Sequence, residues 1–165
     1  MCSYCGCRNI PLIAQLTRQH ENITNHTTAL RAAERSDDPV TAAAAASVLS
    51  ELLHPHTELE EQGLFAEMRA DDMFSEHIES LCAEHEAIDA GLAAVEAGDL
   101  SRVGPLLTLL ANHIDREENG LFPAALAYLD DEQWNHLHEV GGVAREVGVG
   151  HDHLDAGSAE HHHAR

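Results

Sequence analysis

Positive charge and aromatic side chains are both scarce in this chain. Lysine and arginine number 9 against 29 aspartates and glutamates, a formal charge of −20. A phosphate backbone or an anionic membrane would be repelled, so neither nucleic acid nor a membrane is an expected partner. Aromatics make up 4% of residues. With abundant alanine, and with glycine and proline gathered mostly at a few breaks, this is the composition of packed helices rather than of a sheet. No segment has the uninterrupted apolar length of a membrane span, and the opening Met1-Cys2-Ser3-Tyr4-Cys5-Gly6-Cys7-Arg8 holds no signal-peptide core. The expectation is a cytoplasmic protein. At 165 residues the length suits one domain with a proper core and one site.

The apolar residues recur with helical spacing. Leu12, Leu16, Ile23 and Leu30 follow Pro11 and predict a first helix to about Arg35. Ser36-Asp37-Asp38-Pro39 has capping chemistry, and Val48, Leu49, Leu52, Leu53, Leu59, Leu64 and Met68 predict a second helix from Val40 to about Ala70. Pro55 inside it deletes a backbone hydrogen bond and is expected to kink the axis before His56. A third helix is expected from about Ser75 to Ala97, with Ile78, Leu81, His85, Ile88, Leu92 and Val95 inward and Gly98 closing it, and a fourth from about Leu100 to Tyr128.

Asp130-Asp131-Glu132 can cap a shorter fifth helix whose Trp134, Leu137 and Val140 cover one end of the bundle. The expected organisation is a Cys-rich segment at 1–10, an all-α, up-down four-helix bundle at 11–130, the added helix at 131–147, and a disordered His-rich tail at 148–165.

Histidine is what the chain has in excess, at 14 residues, and position gives it meaning. The stretch from His56 to Phe65 matches the stretch from His113 to Phe122: His, Glu, Glu, Gly, Leu and Phe recur at the same six places. Upstream, His20-Glu21-Asn22-Ile23 pairs with His85-Glu86-Ala87-Ile88. The chain is two related helical hairpins, and what they share includes residues that bind metal.

Residues four apart stack about 6 Å along a helix, so His56 with Glu60, and His113 with Glu117, project from one face. His20 lies on the stripe between Leu16 and Ile23, and His85 between Leu81 and Ile88. Six such groups buried without partners would cost several kcal/mol each. One ion cannot use ligands from four helices and keep positions open, whereas two ions about 3.5–4 Å apart can share the carboxylates. A dinuclear centre follows. Imidazole with carboxylate and no thiolate suits iron or manganese, with zinc as a competitor.

At these residues the sequence resembles the hemerythrin-like, or HHE cation-binding, family, whose pattern is His, His-x3-Glu, His, His-x3-Glu on four successive helices. Here that is His20, His56 with Glu60, His85, and His113 with Glu117; the Glu-Glu-x-Gly-Leu-Phe-Pro run ending at Pro123 is also family-like. The resemblance covers roughly residues 10 to 130. It implies a hemerythrin-like bundle and two iron ions, non-haem and joined by an oxo or hydroxo bridge. It also implies reaction with small oxidants: hydrogen peroxide, oxygen or nitric oxide. Oxygen carriers of the family have a fifth histidine where this chain has Leu81, which leaves a position open on both irons. The expected activity is therefore a detoxifying oxidoreductase of peroxidase or catalase type, with an electron donor unidentified. The alternative is a protein that binds or senses oxygen, nitric oxide or iron without turnover.

Around this set, Glu61 and Glu118 stand one residue off the ligand face and are expected to be solvated, like Glu21 and Glu86, the competing role being to orient imidazoles. Asp89, four after His85, is a candidate further ligand. Gly63 and Gly120 each cost about 1 kcal/mol inside a helix and are read as points of close packing, the alternative being ligand access. Phe65 and Phe122 would wall the site, or simply fill the core. Cys82 is expected to be a buried small hydrophobe. His26, His54 and His77 fall off the stripe and should be surface residues. Cys2, Cys5 and Cys7 could bind a thiophilic metal, form a reversible disulfide, deliver electrons or be an unstructured reactive head. His151, His153 and His161 to His163 read equally as a metal-scavenging tail, a solvated tail or an added tag.

Overall fold

A computed structural model describes residues 10–140, and among these there is no strand. Helix α1 spans Pro11–Arg35, begun by Pro11 in its first turn. Asp38 starts α2 (Pro39–Gln62) by accepting from the Val40 and Thr41 backbone N–H groups at 3.1 and 3.0 Å. Helix α3 (Leu64–Arg69) follows directly. Asp71 caps α4 (Asp72–Glu96), and Gly98, at φ 96°, supplies the left-handed residue that ends it. A short 3-10 turn, Leu100–Arg102, leads into α5 (Val103–Arg116). A π-helical turn, Glu117–Leu121, then joins α5 to α6 (Phe122–Tyr128). Helix α7 (Asp131–Val140) is capped by Asp130, which accepts from Glu132 and Gln133.

Helix α1 packs on α2, α2 on α4, α4 on α5, and α5 back on α1, closing a four-helix bundle. Trp134 and Leu137 of α7 cover one end, as the sequence predicts; Val140's side chain and the remainder of the expected fifth helix lie outside the described residues.

Two of the predicted helices are interrupted. The second ends at Gln62, not Ala70, because the backbone turns at Gly63, where a Cβ would stand 2.7 Å from the Leu59 carbonyl oxygen. The fourth is α-helical only to Arg116 before it widens into the π turn. Val48, expected inward, is 43% exposed. Cys82 is half-buried and accepts from Arg69 Nη2 at 3.1 Å instead of sitting in the core.

The core comes in two apolar clusters. One gathers Leu12, Leu16, Phe65, Leu81, Phe122 and Trp134 among others; the other runs from Ile23 and Leu53 to Ile88 and Leu110. His20, between Leu16 and Ile23, and His85, between Leu81 and Ile88, lie at the junction of the two. A polar layer therefore interrupts an otherwise apolar bundle. No helix among the described residues is long and apolar enough to cross a membrane.

Candidate metal centre

The bundle brings all six predicted residues together. Each is at most 4% exposed, and Glu60 and Glu117 are fully buried. Two groups of ligand atoms result, each lying within 4.8 Å: His20, His56, Glu60 and Glu117 in one, and Glu60, His85, His113 and Glu117 in the other. Both carboxylates belong to both groups.

The imidazole nitrogens sort by direction. The Nε2 atoms face the carboxylates: His20 to Glu117 Oε2 at 3.1 Å, His56 to Glu60 Oε1 at 3.3 Å, His85 to Glu60 Oε2 at 3.4 Å and His113 to Glu117 Oε1 at 3.4 Å. The Nδ1 atoms face outward onto acceptors: Glu118 Oε1 for His20 at 3.0 Å, Gln19 Oε1 for His56 at 3.0 Å, Glu61 Oε1 for His85 at 2.7 Å and Glu84 Oε2 for His113 at 2.9 Å. An ionised carboxylate accepts only, so Glu118, Glu61 and Glu84 favour the proton on Nδ1 of His20, His85 and His113, and the Gln19 amide oxygen does the same for His56. That is the tautomer a metal ligand needs. His85 Nε2 and His113 Nε2 lie 2.9 Å apart, so in the metal-free layer a proton between them ties up one of the inward nitrogens.

Glu61 and Glu118 are thus not merely solvated. Each reaches sideways to an imidazole on a neighbouring helix, where a reading of its own helix face does not look. Their recurrence in both halves was the available signal. Gln19 and Glu84, each just before a site histidine, escaped sequence reasoning altogether. Arg116 donates to the second oxygen of Glu84 and to Ser80 Oγ, and its other nitrogen lies 3.3 Å from His77 Nδ1, so His77 is half-buried rather than free on the surface. Asp89 is exposed and borders a surface hollow with His54, so it is not a further ligand; Glu21, Glu86, His26 and His54 are exposed as expected.

The aromatic walls are reciprocal. Phe65 stacks on His85 with ring centroids 5.6 Å apart and Phe122 on His20 at 5.8 Å, both within 8° of parallel. Leu81 is fully buried one turn before His85. A cleft of about 590 Å³ opens beside His20 between α1 and α5, bordered by Thr17, Glu118 and Asp115.

The layer is electrostatically incomplete. Among the described residues, both oxygens of Glu60, both of Glu117 and Nε2 of His20 are buried without a hydrogen-bond partner; the 3.1 Å approach of His20 to Glu117 is an ion-pair contact, not an aligned bond. Orphaned buried carboxylates are costly. Burial, followed by the charge of Glu117, pushes the Glu60 carboxyl well above its usual range. Burial would lower His20, but Glu117, Glu118 and Glu60 overcome it and raise it to about 9. Burial, with the neighbouring imidazoles, holds His56 well below its usual value, and burial lowers His113 against Glu117 and Glu84. A proton on His20 thus fills part of the role that a cation would fill completely. Four inward Nε2 atoms, which a cation could hold once it displaces the protons among them, and two partnerless carboxylates fit a metal-binding layer.

The Cys-rich head and the His-rich tail lie outside the described residues. Comparison with known families finds a match to the model described as hemerythrin HHE cation binding domain over residues 12–125. No curated protein and no solved structure matches the chain.

Proposed function

The chain belongs to the hemerythrin HHE cation-binding domain family, and from that premise we propose that it holds two iron ions between His20, His56, Glu60, His85, His113 and Glu117 and uses them to reduce small oxidants, peroxide first among them. The observation that carries the dinuclear reading is that the two ligand groups share both carboxylates. Charge supports it. Glu60, Glu117, Glu61, Glu84 and Glu118 with Arg116 leave four negative charges, which two divalent cations match.

Bound iron would supply the redox chemistry, cycling between ferrous and ferric states. Reduction of hydrogen peroxide to two waters takes two electrons and two protons, and in a catalase-type reaction oxidation of a second peroxide to oxygen would return both. The chain's own residues do the rest. Gln19, Glu61, Glu84 and Glu118 fix the imidazoles at Nδ1, Phe65 and Phe122 exclude bulk water, and the cleft beside His20 admits molecules the size of peroxide. Leu81 offers no fifth imidazole, so the six residues would be the whole protein ligand set for bound iron. We place it in the cytoplasm, and the −20 charge would repel nucleic-acid partners.

Anaerobic iron loading followed by optical spectra on adding peroxide, oxygen and nitric oxide in turn tests the reading. Sustained consumption of peroxide supports the enzyme. A reversible, stoichiometric adduct with no turnover replaces it with a carrier or sensor.

A further inference from the structure

The two halves of the layer match pair by pair: His20 with His85, His56 with His113, Glu118 with Glu61, and Phe122 with Phe65. The residue preceding each lone histidine breaks the match. Gln19 accepts from His56 Nδ1 at 3.0 Å through a neutral amide, whereas Glu84 accepts from His113 Nδ1 at 2.9 Å through a carboxylate. Resting on the dinuclear reading, we propose that this substitution makes the two metal positions fill in order: a divalent cation occupies the His85–His113 position first and tightly, and the His20–His56 position second and exchangeably.

A carboxylate accepting an imidazole N–H makes a stronger, charge-assisted bond than an amide does and raises the donor strength of the opposite nitrogen. Both imidazoles of the His85–His113 position have such a partner, Glu61 and Glu84; only one of the His20–His56 pair has, through Glu118, and since Glu61 is 45% exposed and screened, the difference between the positions rests mainly on Glu84 against Gln19. Glu84 is also better held. Arg116 grips its second oxygen, and Arg116 is itself bonded to Ser80. The guanidinium offsets part of that negative charge, but it touches the far oxygen, two bonds beyond the one that meets His113, and is 32% exposed, where solvent screens it. Among the described residues Gln19 has no comparable anchor, and its amide can rotate to present a donor instead. Access points the same way, since the cleft between α1 and α5 reaches His20.

The test is residue-resolved NMR of the full, metal-free chain labelled with 15N-histidine and titrated with Zn(II) alone, a redox-silent probe. Each imidazole is read separately, so uptake by the head or tail does not obscure the order. His85 and His113 are expected to respond first, with His20 and His56 following at about tenfold higher free zinc, the lower end of what an outer partner contributes. The exchange variant Gln19→Glu/Glu84→Gln is expected to reverse that order, which a merely structural role for these residues would not do. All four imidazoles responding together, or His20 and His56 leading in the native chain, overturns the ordering and leaves the dinuclear reading standing. If only two of the four ever respond, the dinuclear reading itself fails. Should the double variant not fold, the order in the native chain still decides.

Discussion

Residues Glu60 to Phe65 and Glu117 to Phe122 carry the same motif on different backbones. In the first half the helix breaks at Gly63 and restarts as α3; in the second it widens into a π turn and flows into α6. Yet Glu61 and Glu118 end on matching imidazoles, and Phe65 and Phe122 on matching ring faces. The sequences differ just beyond the motif, where Pro123 stands in the position of Ala66. Proline has no N–H to donate and its ring crowds the carbonyl four residues back, a conflict that a wider turn relieves. What is held constant between the halves is side-chain placement around the polar layer, and the backbone takes whichever route its neighbours permit.

The largest test of that equivalence is removal of the shared carboxylates. Glu60→Ala and Glu117→Ala, one from each half, should each abolish binding of both ions after anaerobic reconstitution, because each serves both positions. Elemental analysis that finds either variant still holding two irons would break the symmetry. Glu61→Ala should weaken loading by only about tenfold; an effect as large as that of Glu60→Ala would mean the ligand face is misassigned.

Leu16 and Leu81, one turn before His20 and His85, are equivalent buried positions. With iron content held at two, Leu81→His should slow peroxide consumption severalfold and prolong an oxygen adduct by closing one ion. Unchanged turnover in a peroxide assay would return the lead to the carrier reading.

A third comparison sets His20 against His56 in the metal-free protein. His20, raised to about 9, contributes stability that is fully present below its unfolded value of 6.5 and is lost as pH rises through about 9. The contribution is on the order of 3 kcal/mol. His56 is depressed, so its contribution is present above 6.5 and is lost as pH falls through its folded value. Denaturant melts of His20→Gln should therefore show a deficit at pH 6 that shrinks toward pH 9. A deficit that grows with pH would reverse the assignment of the proton.

The smallest test concerns the glycines. A Cβ at Gly63 meets the Leu59 carbonyl oxygen at 2.7 Å, and one at Gly120 meets nothing within 4 Å. Gly63→Ala should cost about 2 kcal/mol as the backbone shifts. Gly120→Ala should be neutral or stabilise by up to about 1 kcal/mol through helix propensity. Equal losses in thermal melts would remove the distinction between the two routes.

These glycines show where sequence reasoning stops. Both stand out in the sequence as costly in a helix, and close packing is the expectation for both; that holds for Gly63, whose own backbone is the neighbour, and fails for exposed Gly120. Apolar spacing found α1 and α4 and put the six residues on inward faces, because periodicity reports burial directly. It passed over the breaks at residues 63 and 117 because the residues beyond them return to the same faces. It also judged Glu61, Glu118 and Asp89 by their own helices alone. Which imidazole a glutamate can reach depends on the helix opposite, and that is settled only by packing.

His20 and Glu118, bonded across the layer, stand 98 positions apart in the chain. Closing so long a loop is entropically costly and comes after local helices have formed. No single hairpin carries a complete position of the layer, since each shared carboxylate must meet imidazoles from the other half. The first hairpin alone holds three of the four groups of one position, but Glu117 completes it only when the second half docks, so a bound cation would act chiefly as a latch on the finished bundle. Its addition should slow the unfolding limb of a denaturant-jump experiment and leave the refolding limb nearly unchanged.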